Sequence, residues 1–159
     1  MMEKSPAVAA LERRLDDLLA TLLQDSHGSR CTVRIDDPVR GWHIDFICAE
    51  ALRPGVKSLR GQGAIDQRAA ATVKWLAAEQ RNLIQPDLTG KPVPPPPPAL
   101  MGVYAAKAQM LAPLFTRAGH LAGFVSVHYV DGTRTFTAQE EAALDRAAAE
   151  VARVTGIAD

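Results

Sequence analysis

Polar side chains recur at every second position of otherwise apolar runs in three places in this chain. Residues 31–36 read Cys-Thr-Val-Arg-Ile-Asp, and residues 42–51 open Trp-His-Ile-Asp-Phe-Ile-Cys. Read as strands, they put Thr32 and Arg34 on one face of the first and His43 and Asp45 on one face of the second. The run ending at Tyr129 adds Ala122, Phe124, Ser126 and His128 at the same period. Antiparallel neighbours with matched alternation bring these groups together. A buried charge without a partner is costly, so such a face either satisfies itself or leaves room for a ligand. The planar fork of an arginine matches a carboxylate. The pattern therefore predicts a pocket for a small anionic or carboxylated metabolite, held by Arg34 with His43 or His128 as second donor. Trp75, Tyr104 and Asp87 are expected from the segments that roof it. A cross-strand Arg34–Asp45 pair at a partly wet sheet edge would account for the same residues without a ligand.

Other chemistry is poorly supplied. Tyr104 and Lys107 form an acid–base couple on paper, but no nucleophile, oxyanion donor or cofactor motif accompanies them, so no catalytic residue is assigned. His27 and His120 fall in turns. His43 and His128 give two ligands from adjacent strands with no third group at fixed spacing, which predicts neither a metal nor a haem. Cys31 and Cys48 lie in separate apolar runs and read as small buried thiols of a reducing compartment. The Gly61-Gln62-Gly63 turn lacks the third glycine of a dinucleotide fingerprint and reads as loop geometry.

The chain of 159 residues is expected to form one domain with a core of its own. Its 18 basic and 18 acidic side chains cancel, which argues against nucleic acid or an anionic membrane as partner. No apolar run approaches the roughly 20 residues of a spanning helix, and the first residues lack the layout of a secretion signal. A cytoplasmic location is expected.

The centre of the fold is expected in residues 108–131, two apolar runs joined by Arg117-Ala118-Gly119-His120. This reads as a β-hairpin with Gly119 supplying the positive φ of the reversal, its second run apolar on both faces and so covered on both. Residues 5–25 form an amphipathic helix with Ser5 as cap, Pro6 in the first turn and Leu11, Leu15, Leu18, Leu19 and Leu22 on one stripe. Gly28 is expected as its left-handed stop. Strands follow at 31–36 and 42–51, then a helix over 66–80 capped by Asp66, with Ala69, Val73, Leu76 and Ala77 buried and Trp75 off that stripe. A short edge strand covers 81–86. Residues 88–99, with five consecutive prolines, read as an extended surface spacer, a docking peptide for a proline-reading domain being the other reading. Residues 100–107 can form a short helix. Thr137 and Glu140 make a capping box for a last helix ending near Val154 before Gly156.

This order of parts resembles a GAF domain, a PAS-like sensory scaffold. The resemblance is carried by three stretches. One runs from Gly61 through RNLIQPDL at 81–88, one is MLAPLFTRAGHLAGFVSVHY at 110–129, and one is TRTFTAQEEAALDRAAAEVA at 133–152; together it spans roughly residues 10–154. It implies an α+β fold with a central antiparallel five-stranded sheet of order 2-1-5-4-3. The N- and C-terminal helices would lie on one face and the middle helix and loops over a pocket on the other. It implies, too, a homodimer through the first and last helices. Specialised branches fit less well. The Asn-Lys, Phe and Asp-Glu pattern of cyclic-nucleotide binders is missing, Cys48 has Ile47 and Ala49 beside it where bilin binders place a histidine, and residues 52–159 hold no cysteine for the methionine-sulfoxide chemistry of another branch. The function expected is a non-catalytic, small-molecule-binding sensory or regulatory module with no resident cofactor, acting through a dimer or an output protein in trans. A small enzyme using the polar face, and a haem or metal sensor, remain the alternatives.

Overall fold

The computed structural model describes residues 4–61 and 65–159. Five strands form one antiparallel sheet of order β2-β1-β5-β4-β3, with β1 Arg30–Ile35, β2 Ala49–Leu52, β3 Leu83–Gln85, β4 Ala108–Phe115 and β5 Leu121–Tyr129. Helices α1 Pro6–Ser26 and α4 Ala138–Thr155 cover one face. On the other lie a 3₁₀ turn at Gln67–Ala69, helix α2 Ala71–Glu79, the short helix α3 Pro98–Met101 and the loops between them.

The central hairpin is where the apolar runs predict it. Gly119 has φ +86°, and Thr116 donates to the His120 carbonyl at 2.8 Å. β3 reaches β4 only as far as Leu83 opposite Leu111, so Pro113 lies where no outer strand needs its missing N–H. Gly123 faces Ile35 across the β1–β5 ladder, and a Cβ built there would stand 1.9 Å from the Arg34 carbonyl oxygen. Glycine lets the two backbones close at that point.

Behind the sheet, Leu15, Leu19 and Leu22 of α1 and Leu144, Ala147 and Val151 of α4 pack on Cys31, Val33, Ile35, Met110, Val125 and Val127. Each large aliphatic side chain buried this way contributes about 1.5–3 kcal/mol. The capping box holds: the Thr137 hydroxyl accepts from Glu140 N at 3.1 Å, and Glu140 accepts from Thr137 N at 3.0 Å. Glu140 is itself buried and also meets His27 Nδ1 at 3.0 Å and Arg134, which joins the start of α4 to the end of α1.

Four local expectations need correction. His27 takes the left-handed turn after α1, with φ 58°, while Gly28 is required because a Cβ would lie 2.6 Å from Val127 Cγ1. The second strand is only Ala49–Leu52; residues 36–48 form an excursion closed by the Asp37–Trp42 bridge and by the Asp36 carboxylate accepting from Ile44 N at 2.7 Å. The helix expected from Asp66 starts as a separate 3₁₀ turn, which Asp66 does cap and in which Ala69 is exposed; α2 then buries Thr72, Val73 and Leu76 and leaves Ala77 exposed. The proline segment is not a free spacer. Pro94 and Pro96 are buried, and the Pro94 carbonyl accepts a hydrogen bond from Gln85 at 2.8 Å. Of the Gly61-Gln62-Gly63 turn, Gln62 and Gly63 lie outside the described residues.

Candidate functional site

Strand register turns the front face of the sheet into three rows. Arg30 of β1, His128 of β5, Gln109 of β4 and Gln85 of β3 stand side by side in the first. Glu50, Thr32, Ser126, Leu111 and Leu83 make the second, and Arg34, Phe124 and Pro113 the third. Because side chains alternate along a strand, this polar set shares its strands with the apolar set that packs on α1 and α4.

A cavity opens over these rows. Its enclosed space is small, about 40 Å³ for the centres of water molecules, within about 430 Å³ of non-atom space that includes the open mouth. Arg34, Phe124, Ser126, His128, Gln109 and Leu111 form the floor; Leu59, Gln67, Thr72, Pro97, Leu100 and Tyr104 are among the residues that wall and roof it. Toward the hairpin turn, the same face is filled solid by Ile44, Val73, Leu76, Leu83, Leu121 and Phe124. Arg34 is the charged residue of the described lining, which contains no carboxylate.

Most polar groups of this face are held. Arg34 donates to the carbonyl of Asp45 at 2.7 Å and to that of Ile44 at 3.3 Å, so the 36–48 excursion serves as its bracket. Burial lowers its pKa to about 10, partly offset by the charge of Asp45, and it remains a cation at neutral pH. Arg30 is wholly buried beneath the mouth. Its fork donates to the Lys57 carbonyl at 3.0 Å, the Tyr104 carbonyl at 3.1 Å and His128 Nδ1 at 3.2 Å, and it lies under the Tyr104 ring. An arginine has no acceptor, so His128 Nδ1 must accept and the ring proton sits on Nε2. Thr32 and Ser126 bond to each other. Glu50 is taken up by Leu59 N at 2.7 Å and the Ser58 hydroxyl, which pins the loop after β2.

Of the residues singled out in the sequence, Arg34, Tyr104, Phe124, Ser126 and His128 line this cavity and His43, Asp45, Trp75 and Asp87 do not. His43 is exposed in the excursion, its Nδ1 accepting from Asp45 N at 3.1 Å. The Asp45 carboxylate accepts from Gln67 N at 2.9 Å, fixing the wall. Trp75 packs beside the apolar cluster with Arg81 over its ring, and Asp87 is exposed, its carboxylate accepting from Thr89. Arg30, Gln85 and Gln109 were missed in the sequence. Gln109 and Leu111 continue the alternation of β4 and would have been found by extending the face argument to uncharged amides. Arg30 precedes Cys31, the first residue of the apolar alternation that marks β1.

Both thiols lie with the helix-side core, away from the cavity. Burial pushes Cys48 up to about 12 and Cys31 upward as well. Among the described residues no group of three His, Cys, Asp or Glu could hold a metal ion, and no helix is long and apolar enough to cross a membrane.

Burial, and then the charges of Arg30 and Arg34, hold the pKa of His128 well below its ordinary 6.5. The folded chain therefore binds fewer protons than the unfolded chain below that pH, and stability falls as the solution is acidified. From pH 6.5 to 5.5 this one group should remove on the order of 1 kcal/mol. Urea midpoints across that range check it: His128→Gln should flatten the slope, and identical slopes would show that the imidazole is already protonated or exposed.

The arrangement of a 2-1-5-4-3 antiparallel sheet, terminal helices behind and a roofed hollow in front is the fold of a single GAF domain. Solved structures of that fold superpose on nearly the whole chain. A far-red cyanobacteriochrome photoreceptor is similar at TM-score 0.74 and 13% identity, covering 92% of this chain and 86% of its own. The far-red absorbing dark state of JSC1_58120g3 with bound biliverdin is similar at TM-score 0.63 and 14% identity, over 94% and 95%. The GAF domain region of a Geobacter sulfurreducens protein is similar at 0.67 and 18%, over 94% and 95%. No family model matches the chain, and no curated protein does.

Proposed function

We propose that this chain is a non-catalytic, small-molecule-binding sensory or regulatory module whose ligand is a small carboxylate seated over the front rows. The observation that carries this reading is the charge of the cavity. Arg34 is held in the lining by backbone carbonyls, Arg30 is hydrogen-bonded to the lining residue His128, and no carboxylate stands in the described lining. An entering anion gains from both cations, and Leu59, Leu100, Leu111 and Phe124 offer an apolar body its place. The similar photoreceptor structures support a ligand role for a chain of this fold, one of them having bound biliverdin. A pigment attached through sulfur does not suit this chain, whose two thiols face the helices.

In this reading, occupancy is passed to α1 and α4, which pair with those of a second copy, and any output protein reads the pair in trans. A thermal-shift screen against carboxylated metabolites tests the site. Saturable stabilisation of about 2.7 kcal/mol is expected at 100-fold excess over Kd, lost in Arg34→Ala and with the compound recovered unchanged. An equal shift in Arg34→Ala would remove the pocket assignment, and consumption of the compound would make the chain a small enzyme. Sedimentation showing only monomer at micromolar concentration would remove the dimer.

A further inference from the structure

We infer that the ligand is a hydroxylated carboxylate, with its acid group at Arg34 and its hydroxyl between His128 and Gln109; the inference rests on the carboxylate reading above.

It follows from the direction of hydrogen bonding along the first row, which is dictated from both ends. At one end Arg30 can only donate, so His128 accepts at Nδ1 and offers Nε2–H. At the other, the Pro94 carbonyl can only accept. Gln85 must therefore give it the Nε2 amide, at 2.8 Å, and turn its oxygen toward β4. That oxygen in turn requires the amide nitrogen of Gln109, at 2.7 Å. Neither amide can be reversed without setting two like groups against each other. What is left over is Gln109 Oε1, an acceptor in a residue 1% exposed that has no hydrogen-bond partner. Beside it in register stands His128, whose ring makes one hydrogen bond among the described residues, the one to Arg30.

A donor and an acceptor thus end adjacent halves of one row without meeting. A single group that accepts from one and donates to the other completes the row, and a hydroxyl does both. Leaving such a buried acceptor unpaired is costly, so a ligand lacking the hydroxyl binds less tightly. Arg34 stands four residues along β1 from this row, roughly 13 Å between Cα atoms at the rise of a strand. The row of Ser126 and Leu111, both in the cavity lining, lies between them. The two functions therefore belong at opposite ends of a compact apolar body.

Paired probes test this by calorimetry on the full chain: 4-hydroxybenzoate against benzoate, 4-hydroxyphenylacetate against phenylacetate, and 6-hydroxyhexanoate against hexanoate. The hydroxylated member of at least one pair should bind about tenfold more tightly. Gln109→Leu should bring that ratio close to one. Should Gln109→Leu not fold, Gln85→Met, which frees the Gln109 amide to turn without touching the cavity lining, should lower it. Equal affinities within every pair, or a ratio unchanged in the folded variants, would overturn the inference while leaving the carboxylate site standing. No binding by any of the six would overturn both.

Discussion

Gly123→Ala is expected to unfold the protein or to cost more than about 4 kcal/mol, beyond the range of ordinary substitutions. The added methyl would meet the Arg34 carbonyl oxygen at 1.9 Å and Arg34 C and Ile35 Cα at 2.8 Å. These are backbone atoms of the strand that neighbours β5, so no side chain can swing aside to relieve the clash. The relief would be a local parting of β1 from β5, which breaks ladder bonds in mid-sheet and moves Arg34 at the same time. Gly90→Ala and Gly132→Ala are the controls. A Cβ at either meets nothing within 4 Å, and each should stay within about 0.5 kcal/mol of the parent. Urea or thermal midpoints decide the matter; a Gly123→Ala protein as stable as the controls would show that the two strands do not close as described.

Arg30→Met should be nearly as damaging, at about 3–5 kcal/mol. Methionine fills much of the volume but leaves the carbonyls of Lys57 and Tyr104 and the Nδ1 of His128 without their donor. Arg30→Lys keeps a charge but concentrates its donors at one point, so it cannot serve three acceptors set around a planar fork, and should lose roughly half as much. Burial is the main influence on Arg30 and lowers its pKa, opposed by the field of Glu50. Arg34→Ala opens directly to the cavity, where water can replace the guanidinium, and is expected to fold. Loss of less than about 1 kcal/mol in Arg30→Met would mean that the fork is not needed to hold Tyr104 and the 57 loop over the mouth.

Much of the framework was readable because its signals are local. The central hairpin rests on two apolar runs and one glycine, and the capping box on two residues three apart. The failures have a common physical cause: periodicity cannot distinguish a strand from an excursion whose alternate residues happen to be apolar. Trp42, Ile44 and Cys48 are buried as a strand would bury them, yet Phe46 is 46% exposed and the backbone turns at Asp36 and Asp37. That error put His43 and Asp45 on the cavity floor when they belong to its bracket. Charge drew attention to Arg34 and His128, whereas Gln85 and Gln109 carry none, and their role depends on a proline carbonyl nine residues from Gln85 in sequence. Nothing in the local pattern announces a contact of that kind.

The alternation along β5 bears on how such a chain can diversify. Phe124, Ser126 and His128 look out on the hollow, while Val125 and Val127 between them are locked against the helices. New recognition chemistry can be written on one set of letters without disturbing the other, so lineages of this scaffold can drift in taste while keeping the same skeleton. Arg30 is the exception. Its fork ties the 57 loop and Tyr104 to the sheet, and evolutionary tinkering there would be punished first as a failure to fold.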